Sequence, residues 1–443
     1  MKRRSLLFTG IGLGGLLLLA GTFGAVRSGG RASTPVVVAA PGAANSFAHA
    51  SGATLDQTIT RLQDHLKAVP KDYVSWSTLG LAYVQQAKVT VNSDFYPRAD
   101  GALRTSLTIN TDDNFLAYAG LAALANARHE FATAKAYAEQ GLAINSYSDI
   151  LYGALSDAET QLGQYVEASA AVQKMVNLSP DTSSLSRASY TSELRGDTVQ
   201  ARTLMQQALD DAPTGSDKAF AMYYLGELDF NSGDFNGALT YYRSALDASP
   251  SDSASLAGKA KAEAALGQNL TALDDYAALV QRTPEPSYLI EYGELLQSLG
   301  RTAEADKQYA VFGTTQQLFE ANGVAPDSTP SLFYADHGDP ARALENAEKG
   351  IATRPFVVMY DAYAWALHRN GRDVEALAAV NTAMEPGMKN PLFHFHKGMI
   401  QVALGHLADA RLELTTALQI NPKFNPLAAP IALATLSQIG AAP

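Results

Sequence analysis

The sequence predicts an all-α solenoid of about ten stacked helix–turn–helix units, and three observations carry that expectation. One phrase recurs about every 34 residues along most of the chain. Alanine supplies 76 of 443 residues, a composition that favours helices in close approach over β-branched strands. Glycine and proline fall at fixed places in the phrase, glycine inside each unit and proline at its end.

The phrase is clearest at residues 219–250, where an apolar stretch ends in Leu225-Gly226 and Gly233 opens a turn. Phe235 follows, and Ala238, Tyr242 and Ala245 lie at i, i+4 and i+7 on one face of a second helix. Gly226 and Ala238 are small because two antiparallel helices must approach there; a larger side chain would part the axes and leave a void. Pro250 stops the second helix. With the second-helix alanine as marker, the phrase returns at Ala99, Ala134, Ala168, Ala201, Ala238, Ala272, Ala305, Ala343, Ala376 and Ala410. Turn glycines keep register at 163, 196, 233, 267, 300, 338, 371 and 405, and unit-end prolines at 180, 213, 250, 284, 355 and 422.

In its 34-residue period, its Trp76-x-x-Leu79-Gly80-x-x-Tyr83 opening and its Ala/aromatic/Ala/Pro second half, the chain resembles the tetratricopeptide repeat family from about residue 55 to 425. The resemblance implies a right-handed superhelix, here in an exported protein of bacterial type. Some units depart from the pattern: Ala134 and Ala201 have no aromatic four residues on, and Lys259 stands where a first-helix leucine is usual.

A solenoid leaves an apolar face in water unless both ends are capped. Leu55, Ile59, Leu62 and Leu66 form a stripe ending at Pro70, half a unit that serves as the N-terminal cap. Residues 426–443 are expected to form a closing helix and tail, with Ala428, Ile431, Leu433 and Leu436 as its apolar residues. The period breaks twice. Val89–Phe95 adds about seven residues to the first unit's turn, and Gln316–Pro330 lengthens one second helix and shortens the next first helix, with a hinge expected near residue 325 at Pro326 and Pro330.

Residues 1–26 read as a targeting segment, with Lys2, Arg3 and Arg4 ahead of an uncharged run from Ser5 to Val26. That run reads either as a cleaved signal peptide or as a retained N-terminal membrane anchor, and both readings place the body outside the cytoplasm, with any membrane contact confined to this segment. Residues 27–54, rich in Gly, Ala, Ser, Thr and Pro, read as a flexible linker. From residue 55 onward 28 Lys and Arg face all 44 Asp and Glu, so the body carries about −16 and offers no basic face to nucleic acid.

Catalytic and cofactor chemistry find little support. The absence of cysteine excludes disulfides, thiolate metal sites and cysteine nucleophiles. Gly10-x-Gly12-x-x-Gly15 matches a dinucleotide pattern but lies inside the export segment, without the strand and helix the motif needs. His394 and His396 would point about 200° apart on a helix and cannot share a metal. Asp336-His337-Gly338-Asp339-Pro340 resembles a catalytic loop but is better explained as an intra-unit turn, with Asp339 capping a helix that starts at Pro340. The expectation is therefore a protein without enzymatic activity, cofactor or metal.

Surface recognition remains. The resemblance implies that first helices line a concave groove, whose exposed positions here carry Asp157, Tyr190, Tyr223, Glu227, Phe230, Glu294, Asp361, Trp365, His368, Phe395 and Met399. Aromatics beside acids suit an extended or helical peptide of apolar and basic character, unless those aromatics are half-buried between adjacent helices. The Lys and Asn set with which chaperone-docking members hold a C-terminal carboxylate is absent. The sequence thus points to a scaffold of the cell envelope that binds a protein or peptide partner in the groove. The alternatives are an accessory subunit of an envelope assembly or transport complex using the convex face, and an enzyme.

Overall fold

The computed structural model describes residues 52–440 apart from Pro326, and the segment expected to be a targeting signal and nearly all of the expected linker lie outside that range. The described residues form 22 helices and no strand. They group into two compact bodies, an N-terminal one of residues 52–190 and 207–217 and a C-terminal one of residues 191–206 and 218–440.

The N-terminal body holds α1 (Gly52–Ala68), α2 (Tyr73–Thr90), α3 (Phe95–Ile109), α4 (Phe115–Ala127), α5 (Phe131–Ile144), α6 (Asp149–Gln161) and α7 (Tyr165–Leu178). Helices α8 (Thr182–Leu194) and α9 (Thr198–Asp210) are divided between the two bodies. The C-terminal body continues with α10 (Gly215–Asn231), α11 (Phe235–Ala248), α12 (Ser253–Ala265), α13 (Asn269–Arg282), α14 (Pro286–Ser298), α15 (Thr302–Ala321) and α16 (Ser328–Asp336). It closes with α17 (Pro340–Thr353), α18 (Val357–Arg369), α19 (Asp373–Met384), α20 (Pro391–Ala403), α21 (Leu407–Ile420) and α22 (Ala428–Gly440).

Every marker alanine sits on an odd-numbered helix and is buried, which places the repeat's small residue at a helix crossing in each unit. At two of the crossings a large side chain is wedged between two glycines. A Cβ added to Gly226 would lie 2.6 Å from the Tyr242 ring, and Gly258 of the next unit meets the same ring from its other side. In the N-terminal body Leu103 fills the same role between Gly80 and Gly120. All eight turn glycines adopt positive φ, which an L side chain resists. The second unit has no glycine there, and His129 takes the left-handed conformation instead, at φ 61°.

The caps form, with one correction. The stripe Leu55, Ile59, Leu62 and Leu66 is buried along α1. On α22 the covered face is Ala429, Ala432, Thr435 and Ile439, while Ile431 and Leu433, expected to pack, are exposed. Small residues at 429 and 432 are what face the body, and the bulkier pair is left outward. The residues inserted after Val89 extend α2 to 18 residues, ended by Val91 in the left-handed region. The second irregularity gives α15 20 residues and α16 only nine. These helices flank residue 325, and Phe312 of α15 packs on Phe333 of α16 at 4.4 Å between ring centroids. Lys259, the departure from the leucine pattern, is held by Asp275 and by Glu263 at 3.1 Å.

Candidate functional site

The first helices α10, α12 and α14 of the C-terminal body bring together Tyr223 and Glu227, Lys261, and Tyr288, Glu291 and Glu294. Tyr223, Glu227, Lys261, Tyr288 and Glu291 are half-buried, so this wall is neither dry core nor open surface. Glu227 is its organising residue: it accepts from the Tyr242 hydroxyl at 2.5 Å and from the Lys261 ammonium at 2.8 and 2.9 Å. The Lys261 ammonium also stands over the Phe230 ring, 4.5 Å from its centroid. Glu291 accepts from the Tyr276 hydroxyl at 3.0 Å, and the Tyr223 ring lies 5.9 Å from that of Tyr242. Glu193, on the part of α8 that belongs to this body, adds a fourth carboxylate, and burial and the Glu227 charge act on it together.

The wall holds more negative charge than it neutralises. Burial pushes Glu193 up to about 7, with repulsion from Glu227 adding to the shift. Burial likewise pushes Glu291 up to about 7, with Lys261 and the Tyr276 hydroxyl pulling the other way and Glu227 and Glu294 adding to the rise. Burial raises Glu294 as well. Lys261 stays protonated, its range raised by Glu227 and Glu291 against burial. The tyrosines 223, 242, 276 and 288 are held well above their ordinary range, first by burial and then by neighbouring carboxylates. One lysine against four carboxylates leaves a site suited to a cationic group, flanked by aromatic faces.

The other sequence-predicted positions fall elsewhere. Asp157 in the N-terminal body is buried in a two-point ion pair with Arg187, at 2.9 and 2.7 Å, and presents nothing to a partner. Tyr190 is half-buried on α8. Phe230 is core, packed on Phe235 at 5.3 Å. Asp361 is fully buried and both its oxygens lie 2.9 Å from His396 Nδ1. Trp365 is buried: its N–H donates to Asp336 at 2.7 Å, and its ring stacks on His396 at 4.3 Å and on His368 at 4.9 Å. Phe395 is buried beside Trp365 and Phe424. His368 bonds Asp373 at 2.6 Å, and burial lowers its proton affinity. Met399 is half-buried, its sulfur 3.8 Å from the Thr435 hydroxyl. Asp361, Trp365 and Phe395 are thus internal braces between α16, α18 and α20 and not a partner-facing row.

The sequence reading missed Lys261, Tyr288, Glu291 and Glu193. Lys261 was legible: it stands eleven residues before its marker alanine, the register shared by Glu227, Glu294 and Trp365. Glu291 and Tyr288 occupy a neighbouring face of α14, and no spacing rule assigns that face to a wall. Two sequence expectations about the motifs hold: Asp339 caps α17 by accepting from the Arg342 amide at 3.1 Å, and His394 and His396 diverge, to Glu413 and Asp361 respectively. Among the described residues no group of histidine and carboxylate side chains is arranged to hold a metal, and no helix is long and apolar enough to cross a membrane.

Residues 195–253 match the tetratricopeptide repeat family model. Comparison with curated protein sequences gave no match. Among solved structures, a tetratricopeptide repeat protein from Parabacteroides merdae is 19% identical, with 58% of this chain and 98% of that chain covered and a TM-score of 0.34. Pseudomonas aeruginosa pilF is 18% identical over 48% of this chain and 92% of its own, with a TM-score of 0.37. PilW, a type IV pilus biogenesis factor, is 18% identical over 50% of this chain and 98% of its own, also at 0.37. These scores carry no argument about partner or activity. The repeat itself is an interaction architecture, a stack of hairpins whose faces serve protein binding. Its period, its paired helices with small residues at the crossings, and the family match over 195–253 give this chain the likeness of a tetratricopeptide repeat array.

Proposed function

We propose that the chain is a non-catalytic scaffold of the cell envelope whose C-terminal wall holds a protein segment carrying basic and aromatic or apolar side chains. The observation that supports this most is the convergence of Glu227 and Glu291 on Lys261, with Glu193 acting on Glu227, Glu294 acting on Glu291, and Tyr223 and Tyr288 in the field of the same carboxylates. Half-buried carboxylates pushed up to about 7 bear an electrostatic cost, and an incoming ammonium or guanidinium group relieves it. Tyrosine faces beside them supply large contact area at low entropic cost. The N-terminal targeting segment is the basis for placing the protein in the envelope.

A second reading, an accessory subunit that uses the opposite face, has one observation in its favour. Val199, Leu270 and Val374 stand at the starts of second helices and are 77%, 80% and 75% exposed. A photo-crosslinking amino acid placed in living cells at Tyr288 and, separately, at Leu270 separates the two. The wall reading expects partner adducts from position 288 and none from 270, and the reverse pattern overturns it.

A further inference from the structure

Two seams in the C-terminal body join segments 191 residues apart. Asn421, fully buried in the α21–α22 connection, donates its side-chain N–H to the Phe230 carbonyl oxygen at 2.8 Å, a pairing across 191 positions. The adjoining Gly233 turn is so close to Ile420 and Pro422 that an added Cβ would lie 3.3 and 3.4 Å from them. At the second seam, Gly196 abuts the Gly387 carbonyl so closely that a Cβ would collide with it, again at a separation of 191 residues. Equal separations at places one repeat apart put successive superhelical turns of this body in contact at an offset of 191 residues, about 5.6 units of 34 residues.

The connection that makes the first seam also reaches the wall. Asn425, four residues after Asn421, donates to Glu294 Oε2 at 2.8 Å, while His337 Nε2 stands 3.7 Å from the other oxygen, too far to hydrogen-bond. Both asparagines are locked from behind: Asn421 accepts from the Lys423 amide at 2.7 Å, and Asn425 accepts from the amides of Leu427 and Ala428 at 2.8 Å. Phe424 between them packs on Phe395 at 5.7 Å. Each amide therefore has its carbonyl engaged locally and only its N–H₂ left to reach across.

We propose that the five residues Asn421 to Asn425 form a latch, in which Asn421 holds the superhelical turn closed and Asn425 occupies the Glu294 carboxylate that a partner's basic group would otherwise take. The second half of this proposal rests on reading the wall as the partner site; the first half does not. A neutral amide donor holds the Glu294 carboxylate less strongly than an ammonium or guanidinium donor, which adds the attraction of full opposite charges, so a cationic partner displaces it and an unspecific one does not. Releasing the Asn421 contact frees the seam at Gly233, and because both seams belong to one closed turn, it loosens Gly196 and Gly387 as well.

The test is amide hydrogen exchange on the full-length chain, comparing wild type with Asn421→Ala and with Asn421→Asp, which keeps the side chain's size and loses its donor. Exchange should rise about tenfold at residues 231–234 and also at 194–197 and 385–389, the loss of one well-made buried hydrogen bond. Protection in α2 to α6 should not change, which shows that the variants fold. An increase confined to 231–234, or none, overturns the latch. Asn425→Ala is then titrated with a peptide of alternating lysine and tyrosine, and should bind it several-fold tighter than wild type. Equal affinity, in a titration that Glu291→Gln still weakens, overturns the occupancy of Glu294. A probe that ignores Glu291→Gln removes the wall reading instead and leaves the exchange result to decide the closed turn.

Discussion

The two bodies are built on one repeat and use their polar groups in opposite ways. In the N-terminal body two clusters of buried polar side chains satisfy one another. Ser77, Ser106 and Asn114 link α2, α3 and the start of α4 through bonds of 2.8 Å between the serine hydroxyls and 2.8 Å from the asparagine amide. Asp157 and Arg187 pair in the dry interior, with Ser183 accepting from the same guanidinium at 2.6 Å. In the C-terminal body the register of Asp157 carries Glu227, Lys261 and Glu294, of which Glu294 is buried and the other two half-buried, and the carboxylates outnumber the cation. The repeat fixes where helices cross and leaves first-helix positions free, so the same register serves cohesion in one body and, in the function proposed above, recognition in the other.

Breaking the N-terminal ion pair is the largest expected effect. Arg187→Ala leaves Asp157 charged and buried without its partner, at a cost of about 3–5 kcal/mol. Amide exchange should show α6 to α8 opening while α11 to α21 keep their protection. An equal loss in both bodies would mean that they do not differ as described.

The shared frame is tested by its glycine wedges. Gly80→Ala and Gly226→Ala drive a methyl group into Leu103 and Tyr242, each already confined from the other side by Gly120 or Gly258. Each should cost about 1–3 kcal/mol by overpacking, read from local unfolding in its own body. Similar costs would confirm one packing rule in both bodies, and a large difference would show that the wedges are not equivalent.

This frame was the part most legible in the sequence. Marker alanines and turn glycines reported helix crossings and left-handed turns because those residues fit there at least cost. His129 was not legible, since nothing in the sequence marks a histidine as the residue that takes a glycine's conformation. Trp365 and Phe395 were read as groove aromatics because the register placed them there. Helical spacing assigns a side to a residue, but it cannot say whether the neighbouring helix covers that side, and here α16, α18 and α20 do. The seams between Gly196 and Gly387 and between Phe230 and Asn421 were equally hidden, because superhelical curvature accumulates from small packing angles that no single residue encodes.

The bodies should also part company with pH. Glu193 and Glu291 have folded values of about 7, above the ordinary 4.5, so the folded state binds more protons than the unfolded chain between about pH 4.5 and 7. The stability they contribute is present below that window and is lost as pH rises through it. Asp149 in the N-terminal body, pushed by burial to about 6, acts in the same sense at lower pH. Lys88 acts oppositely: burial lowers it to about 8, with Asp157 raising and Arg187 lowering it, so the N-terminal body gains stability as pH rises from about 8 toward 10.5. Thermal scans followed by body-specific amide exchange at pH 5.5, 7.5 and 9.5 should show the C-terminal body weakening over the first step and the N-terminal body strengthening over the second. The smallest effect is Glu291→Gln, which removes one disfavoured charge and should raise the melting point of the C-terminal body by about 2–4 °C at pH 8. A decrease of the same size would mean that the Lys261 and Tyr276 contacts outweigh the cost of burial.

The central claim, that the C-terminal wall recognises a basic segment, is tested most directly by calorimetric titration of the segment crosslinked from position 288. Wild type, Glu227→Gln with Glu291→Gln, and the N-terminal Arg187→Lys as control are compared at pH 8 and at pH 5.5. The account predicts at least about tenfold weaker binding for the double variant at pH 8, no change for the control, and a wild-type affinity at pH 5.5 reduced toward that of the variant. Equal affinity of wild type and double variant at pH 8 would contradict it.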